Sequence, residues 1–274
     1  MQTQSQWQQS DIPVKNGYLH YYRTGHGEKE PIILVHGFSD HGLCWTPVAR
    51  ELEKNYDVIM PDMKSHGLSA RINEEEPINM ALDLVNLIQS LGLSHPIIVG
   101  HSMGAMIAFQ VGIEYPNVAK ALVLEDPPWL VSPQGKDNKP EEGMMEWARK
   151  LPFQSMEELE AINRRDHPTW TEEMIHLMSE SKKQFDPTLI DLLLKSLRRN
   201  RSEWVSTIAT IRVPLLLFTG NPELGAIVTD KVAARIHQLN PKIQIKNIPD
   251  VGHLIRFDKF DEFMSALTSF LENL

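Results

Sequence analysis

The sequence predicts an α/β fold, a mainly parallel sheet flanked by helices and interrupted by a helical insertion. Short apolar runs alternate with amphipathic segments through residues 1–126, the pattern of strands joined by crossover helices. That alternation stops at Asp126-Pro127-Pro128 and resumes at Val213-Pro214. Between those points the periodicity is helical, without strand runs.

The strand candidates in the first half are residues 19–22, 32–35, 58–60, 97–99 and 121–124. Residues 78–91 follow Pro77, a favourable first helical residue, and place Ile78, Ala81, Leu82, Val85 and Ile88 along one face. Residues 103–115 carry Met106, Ile107, Ala108, Phe109 and Val111, a helix packed under the sheet. The polar stretch 134–143 reads as an exposed entry to the insertion. Inside it, Met144, Trp147, Ala148 and Leu151 form one apolar stripe, and Leu189, Ile190, Leu193, Leu194 and Leu197 another. Two further strands, 215–218 and 243–248, flank a helix at 230–238. A last helix carries Phe260, Phe263, Met264, Leu267, Phe270 and Leu271. The expected division is a core of residues 1–126 and 208–274 with an inserted helical cap at 127–207.

Gly100-His101-Ser102-Met103-Gly104 follows the apolar run Ile97-Ile98-Val99 directly. A serine on a sharp strand-to-helix turn, with glycines two positions to either side, resembles the nucleophile elbow of the α/β-hydrolase fold superfamily. Three more motifs strengthen the resemblance. His36-Gly37-Phe38 looks like the family's oxyanion loop, Asp62 to Ser69 like its Asp-x-x-Gly-His-Gly-x-Ser turn, and Pro249-Asp250-Val251-Gly252-His253 like its histidine loop. The Asp62 turn reads as structural, with Asp62 and Ser69 satisfying loop backbone. The resemblance implies an eight-stranded sheet, a serine hydrolase with a helical cap, and no cofactor or metal.

A serine hydroxyl needs a histidine to take its proton and a carboxylate to orient that histidine. Ser102 and His253 fill the first two roles in the family's chain order. For the acid, Glu223 stands after the strand candidate 215–218, where the family usually carries Asp. Glu223 is taken as the acid; Glu125 and Asp126, one strand earlier where some relatives carry it, are its alternatives. The oxyanion hole is expected from the backbone N–H groups of Phe38 and Met103. His41, beside that loop, either lines the pocket or is an exposed loop residue.

The net charge of −9 and the lack of a long basic block argue against a nucleic-acid partner. The basic cluster 195–201 reads as the solvated end of a helix. Cys44 is the only cysteine; it excludes an intramolecular disulfide and reads as a small buried hydrophobe next to Trp45. The N-terminus lacks a basic patch followed by an apolar core, and no apolar run approaches the roughly 20 residues of a membrane span. A cytoplasmic protein without a membrane partner is expected.

Trp129, Trp147, Trp170 and Trp204, with Met144, Met145, Met156, Met174 and Met178, favour a hydrophobic or aromatic substrate or else simply pack the cap. The expected activity is carboxylic-ester or lactone hydrolysis of a small molecule through an acyl-enzyme on Ser102. Carbon–carbon bond hydrolysis, cofactor-free perhydrolysis and a hydrolase-like ligand receptor remain alternatives.

Overall fold

The computed structural model describes residues 7–72, 78–129, 140–197 and 207–274. Its strands are β1 (Gln8–Val14), β2 (Gly17–Arg23), β3 (Glu30–Val35), β4 (Tyr56–Pro61), β5 (Ile97–His101), β6 (Ala121–Glu125), β7 (Leu215–Thr219) and β8 (Gln244–Asn247). They form one eight-stranded sheet in the order β1-β2-β4-β3-β5-β6-β7-β8. From β4 to β8 every neighbouring pair is parallel, and the β1–β2 hairpin is added antiparallel to β4.

β1 gives no apolar run because it is an exposed edge strand, Gln-Gln-Ser-Asp at its start. Its signal is the turn: Val14 pairs with Gly17, and Asn16 takes a positive φ of 59°, as the two-residue hairpin loop requires.

Strands β5 and β6 are buried along their whole length, as in a parallel sheet covered on both faces. Successive side chains alternate between two cores. Ile33, Val35, Ile98, Leu122, Leu124, Leu215 and Leu217 pack with helices α2 (Met80–Ser90), α3 (Met103–Glu114) and, following the insertion, α8 (Asp230–Leu239). Ile32, Leu34, Ile97, Val99, Val123, Leu216 and Phe218 face α1 (Thr46–Leu52) and the C-terminal α10 (Phe260–Leu271). A short helix, α9 (Ile255–Asp258), precedes α10.

Between β6 and β7 lie α4 (Pro140–Lys150), α5 (Met156–Asp166), α6 (Glu172–Lys183) and α7 (Thr188–Leu197). Ser155 and Glu158 close a capping box on α5, supplying orphan N–H groups of its first turn with acceptors. In the first predicted stripe Ala148 and Leu151 are buried, but Trp147 is half exposed and Met145 turns inward instead. In the second, Leu189 and Ile190 are buried and Leu193 packs against the same core. The side chains of Met144, Leu194 and Leu197, the basic cluster 195–201, residues 134–139 of the linker and Trp204 lie outside the described residues. Among the described residues no helix is long and apolar enough to cross a membrane.

α6 docks on the core through Arg50 and Glu173 at 2.7 Å and Lys182 and Asp40 at 2.6 Å, and Trp170, just before the helix, donates its Nε1–H to Asp258 at 2.9 Å. Met174, Ile175 and Met178 of α6 cover Cys44, which is fully buried.

Candidate active site

β5 ends at His101 and α3 starts at Met103, so Ser102 alone makes the turn. Its backbone takes φ 51°, ψ −113°, a sparsely populated conformation for a residue with a side chain. The strain is held in place by Ser102 N–H donating to Glu125 O at 2.9 Å and Met106 N–H donating to Ser102 O at 3.1 Å. The flanking glycines are steric necessities. A Cβ on Gly100 would stand 2.2 Å from Gly104 O, and one on Gly104 would stand 2.2 Å from Val35 O.

His253 is brought to this turn from the far end of the chain. Its Nδ1 lies 2.6 Å from Asp126 Oδ2, and its carbonyl accepts from His101 Nε2 at 3.1 Å, with the two rings 4.6 Å apart. Asp126 is fully buried and also accepts Ile227 N–H at 2.8 Å and Val228 N–H at 2.9 Å. A buried carboxylate so placed makes Nδ1 the protonated ring atom and leaves Nε2 basic. Nε2 makes no hydrogen bond to a described residue, Ser102 included, consistent with catalytic hydrogen bonds that tighten only around substrate.

The expectation of Glu223 at His253 is therefore corrected. Pro222–Leu224 forms a 3-10 turn in which Asn221 caps the Glu223 N–H, and the Glu223 carboxylate faces outward, exposed. The turn itself abuts the histidine loop, with Asn221 N–H donating to Val251 O at 2.7 Å. Glu125 is engaged elsewhere: it accepts Arg256 N–H and the Arg256 guanidinium, each at 2.8 Å. Both partners are buried, and Arg256 lies 4.0 Å from the ring centroids of both Trp45 and Phe257. Burial raises the Glu125 carboxyl above its ordinary value, and Arg256 opposes the rise.

The loop after β3 presents Phe38. Its N–H has no acceptor among the described residues, and Met103 N–H is the first of α3, which helix geometry leaves without an intrahelical partner. Two neutral imidazoles brace the loop. His36 Nδ1–H donates to Gly37 O at 2.8 Å while its Nε2 accepts Met63 N–H at 2.9 Å. His66 Nδ1–H donates to Lys64 O at 3.0 Å and its Nε2 accepts Ser39 N–H at 3.2 Å. The Asp62 turn carries His66: Asp62 accepts Gly42 N–H and Leu68 N–H, and Ser69 Oγ donates to Asp62 O. His41 is not the exposed loop residue of the second expectation. It is buried, with Nδ1 3.7 Å from Cys44 Sγ and Nε2 3.9 Å from Glu180.

Burial pushes the His36 imidazole down to about 3 and that of His66 down to about 4. Unfolded histidine titrates near 6.5, so between pH ~6.5 and ~4 the unfolded chain binds more protons and stability falls with pH. Each ring contributes a loss on the order of 2 kcal/mol on going from pH 7 to 5. Urea midpoints should drop accordingly over that interval, and a midpoint unchanged from pH 7 to 5 would refute the neutral assignment.

Among the described residues no group of three or more His, Cys, Asp or Glu side chains is placed to hold a metal ion.

A family model for the alpha/beta hydrolase fold matches residues 30–260. The chain belongs to the alpha/beta-hydrolase family. This hydrolase is 26% identical to N-formylmaleamate deformylase of Pseudomonas putida over 95% of its own length and 94% of that protein's. It is 24% identical to 2-(acetamidomethylene)succinate hydrolase of Mesorhizobium japonicum, covering 88% of this chain and 87% of the other. Among solved structures, that of E-2-(acetamidomethylene)succinate hydrolase superposes with a TM-score of 0.81 at 20% identity, covering 97% of this chain and 99% of that one. An N-formylmaleamic acid deformylase from Pseudomonas putida S16 superposes with a TM-score of 0.76 at 23% identity, covering 95% and 100%.

Two residues at the site carry no motif. Arg256 sits three positions after His253, and Lys182 sits at the foot of the Met174-Met178-Lys182 row, a cation continuing an apolar stripe at four-residue spacing. That break in pattern is the only sequence signal for Lys182.

Proposed function

We propose that this hydrolase cleaves a carboxylic ester or lactone through an acyl-enzyme on Ser102, with His253 as base and Asp126 as the acid that orients it. The observation that carries the reading is the 2.6 Å bond between His253 Nδ1 and buried Asp126, set beside a serine on a strained elbow. Ser102 Oγ attacks the carbonyl carbon as its proton passes to His253 Nε2. Phe38 and Met103 N–H groups hold the oxyanion, and the proton passes on to the departing alkoxide oxygen. Water then repeats the sequence, giving up a proton to His253 and releasing the acid. The helices α4 to α7 serve as a cap over the acyl site.

Apolar side chains near the elbow support a hydrophobic acyl group. Trp129 is buried with Nε1–H directed at Met106 Sδ at 3.1 Å, one turn along α3 from Ser102. Phe185 packs on Phe38 with centroids 4.9 Å apart. The names of two of the relatives that match over most of their length favour a second reading, hydrolysis of an N-acyl group on a carboxylate-bearing substrate. The same three residues serve either bond, and carbon–carbon cleavage or perhydrolysis would use them too.

A fluorophosphonate should add to Ser102 as a single adduct, and p-nitrophenyl butyrate should be turned over faster than the acetate. Faster turnover of N-formyl or N-acetyl amides of dicarboxylates would move the assignment to the second reading. No adduct and no turnover, with ligand-dependent melting shifts, would favour a receptor.

A further inference from the structure

We propose that Lys182, supplied by α6 of the insertion, is a positioning residue for the oxyanion donor Phe38 N–H, so that the seating of the cap helix sets the geometry of the hole. The proposal rests on the serine-hydrolase reading above.

The Phe38 N–H belongs to the Gly37–Phe38 peptide, and in a trans peptide it points opposite to Gly37 C=O. Whatever holds that carbonyl therefore aims the N–H. Gly37 O accepts two bonds, from His36 Nδ1–H at 2.8 Å and from Asp40 N–H at 3.2 Å. The Asp40 N–H belongs to the next peptide but one, Ser39–Asp40, whose carbonyl, Ser39 O, accepts from Lys182 Nζ at 3.2 Å. Lys182 also donates to Asp40 Oδ1 at 2.6 Å. The ammonium thus grips both the carbonyl and the side chain of the unit whose N–H fixes Gly37 O.

The loop needs such a grip. Ser39 has a positive φ of 61°, a conformation that a residue with a side chain keeps only when its surroundings impose it. The contact is also buried on both sides, at Asp40 and at Lys182, and burial of a charge without a partner is costly. His101 Nδ1 stands 4.0 Å from Asp40 Oδ2, so the residue before Ser102 closes the other side of the same carboxylate. Next along the chain, Phe185 lies on the Phe38 ring, and Asp186 N–H donates to Ser65 O at 2.9 Å, beside His66. The end of α6 and its continuation are thus applied to the oxyanion loop and its brace together.

Removing an oxyanion donor outright costs about 100- to 1000-fold in turnover; a donor left in place but misaimed loses part of that. Lys182→Met should lower kcat by about 10- to 100-fold with KM changed less than about three-fold. The affinity for a trifluoromethyl ketone, whose adduct carries the oxyanion, should fall by the same factor as kcat/KM. A purely structural loss would not produce that proportionality. Because Lys182→Met orphans Asp40 and can prevent folding, the double variant Lys182→Met/Asp40→Asn removes both charges and should show the same kcat and inhibitor losses. Wild-type kcat and inhibitor affinity in a folded double variant, or a raised KM at unchanged kcat, would overturn the role of Lys182. Failure of the fluorophosphonate to modify Ser102 in the wild-type protein would instead overturn the underlying reading, and with it the hole that Lys182 is held to position.

Discussion

Asp126→Asn is expected to lower kcat by about 10⁴-fold, while Glu223→Gln leaves it within about two-fold. Asp126 accepts the His253 Nδ1–H at 2.6 Å and is otherwise spent on the Ile227 and Val228 N–H groups. An asparagine with its carbonyl oxygen in the Oδ1 position keeps the Val228 N–H, and its amide, in the Oδ2 position that Ile227 N–H and His253 share, turns an N–H toward the ring. Nδ1 then becomes the acceptor, the proton moves to Nε2, and the ring presents an N–H where a base is needed. Neutralising the acid of a comparable triad costs a factor of that size while the geometry survives. Glu223, exposed on its 3-10 turn, has no such connection. Steady-state turnover of p-nitrophenyl butyrate decides the matter. Near-normal activity in Asp126→Asn together with a large loss in Glu223→Gln would return the acid to the later strand.

Arg256→Met is expected to destabilise the fold by about 3–5 kcal/mol, among the largest single-site effects available in this chain. The guanidinium is buried between Trp45 and Phe257 and bonded to Glu125, itself fully buried. Methionine fills part of the aromatic slot, but the Glu125 carboxylate is left with Arg256 N–H, at 2.8 Å, as its remaining donor among the described residues. The carboxyl is already displaced upward by burial, and removal of the opposing cation displaces it further. A group whose folded pKa is raised favours the folded state below its unfolded pKa and loses that contribution as pH rises through the folded pKa. The difference between variant and wild type should therefore shrink from pH 7 to pH 5. The double variant Glu125→Leu/Arg256→Met, with no orphaned charge, should recover most of the loss in urea melts. A double variant as unstable as the single would place the effect in packing on Trp45 and Phe257 rather than in the charge.

Much of the fold was legible because burial on two faces leaves plain traces. Runs such as Ile32 to Val35 are apolar without alternation, and only a strand covered on both sides reads that way. β1 escaped because an edge strand with one solvated side needs no apolar run; only Asn16-Gly17 betrayed it. Trp147 was misplaced by the opposite error. An aromatic residue at helical spacing reads as core, yet it is half exposed while Met145 is buried, since a helix can rotate a little about its axis without changing its composition.

The site divides along the same physical line. Ser102 and His253 are readable because each needs a local backbone shape: the elbow admits only glycine at Gly100 and Gly104, and the histidine loop packs Gly252 against the backbone of Leu224. Such constraints act within a few residues and so appear as motifs. The acid is different, since any carboxylate of suitable reach will do, and three were at hand with no local rule to separate them. Adjacent residues at a strand end point to opposite faces, and the two neighbouring carboxylates accordingly go to different partners, Asp126 to His253 and Glu125 to Arg256. Local chain signals mark the buried strands of the sheet and point to Ser102, His253 and the loop at Phe38. Which carboxylate meets His253 and which lysine grips the loop follow from the three-dimensional arrangement, because hydrogen bonds between residues 127 to 143 positions apart depend on where the fold brings distant segments together, not on what surrounds each residue along the chain.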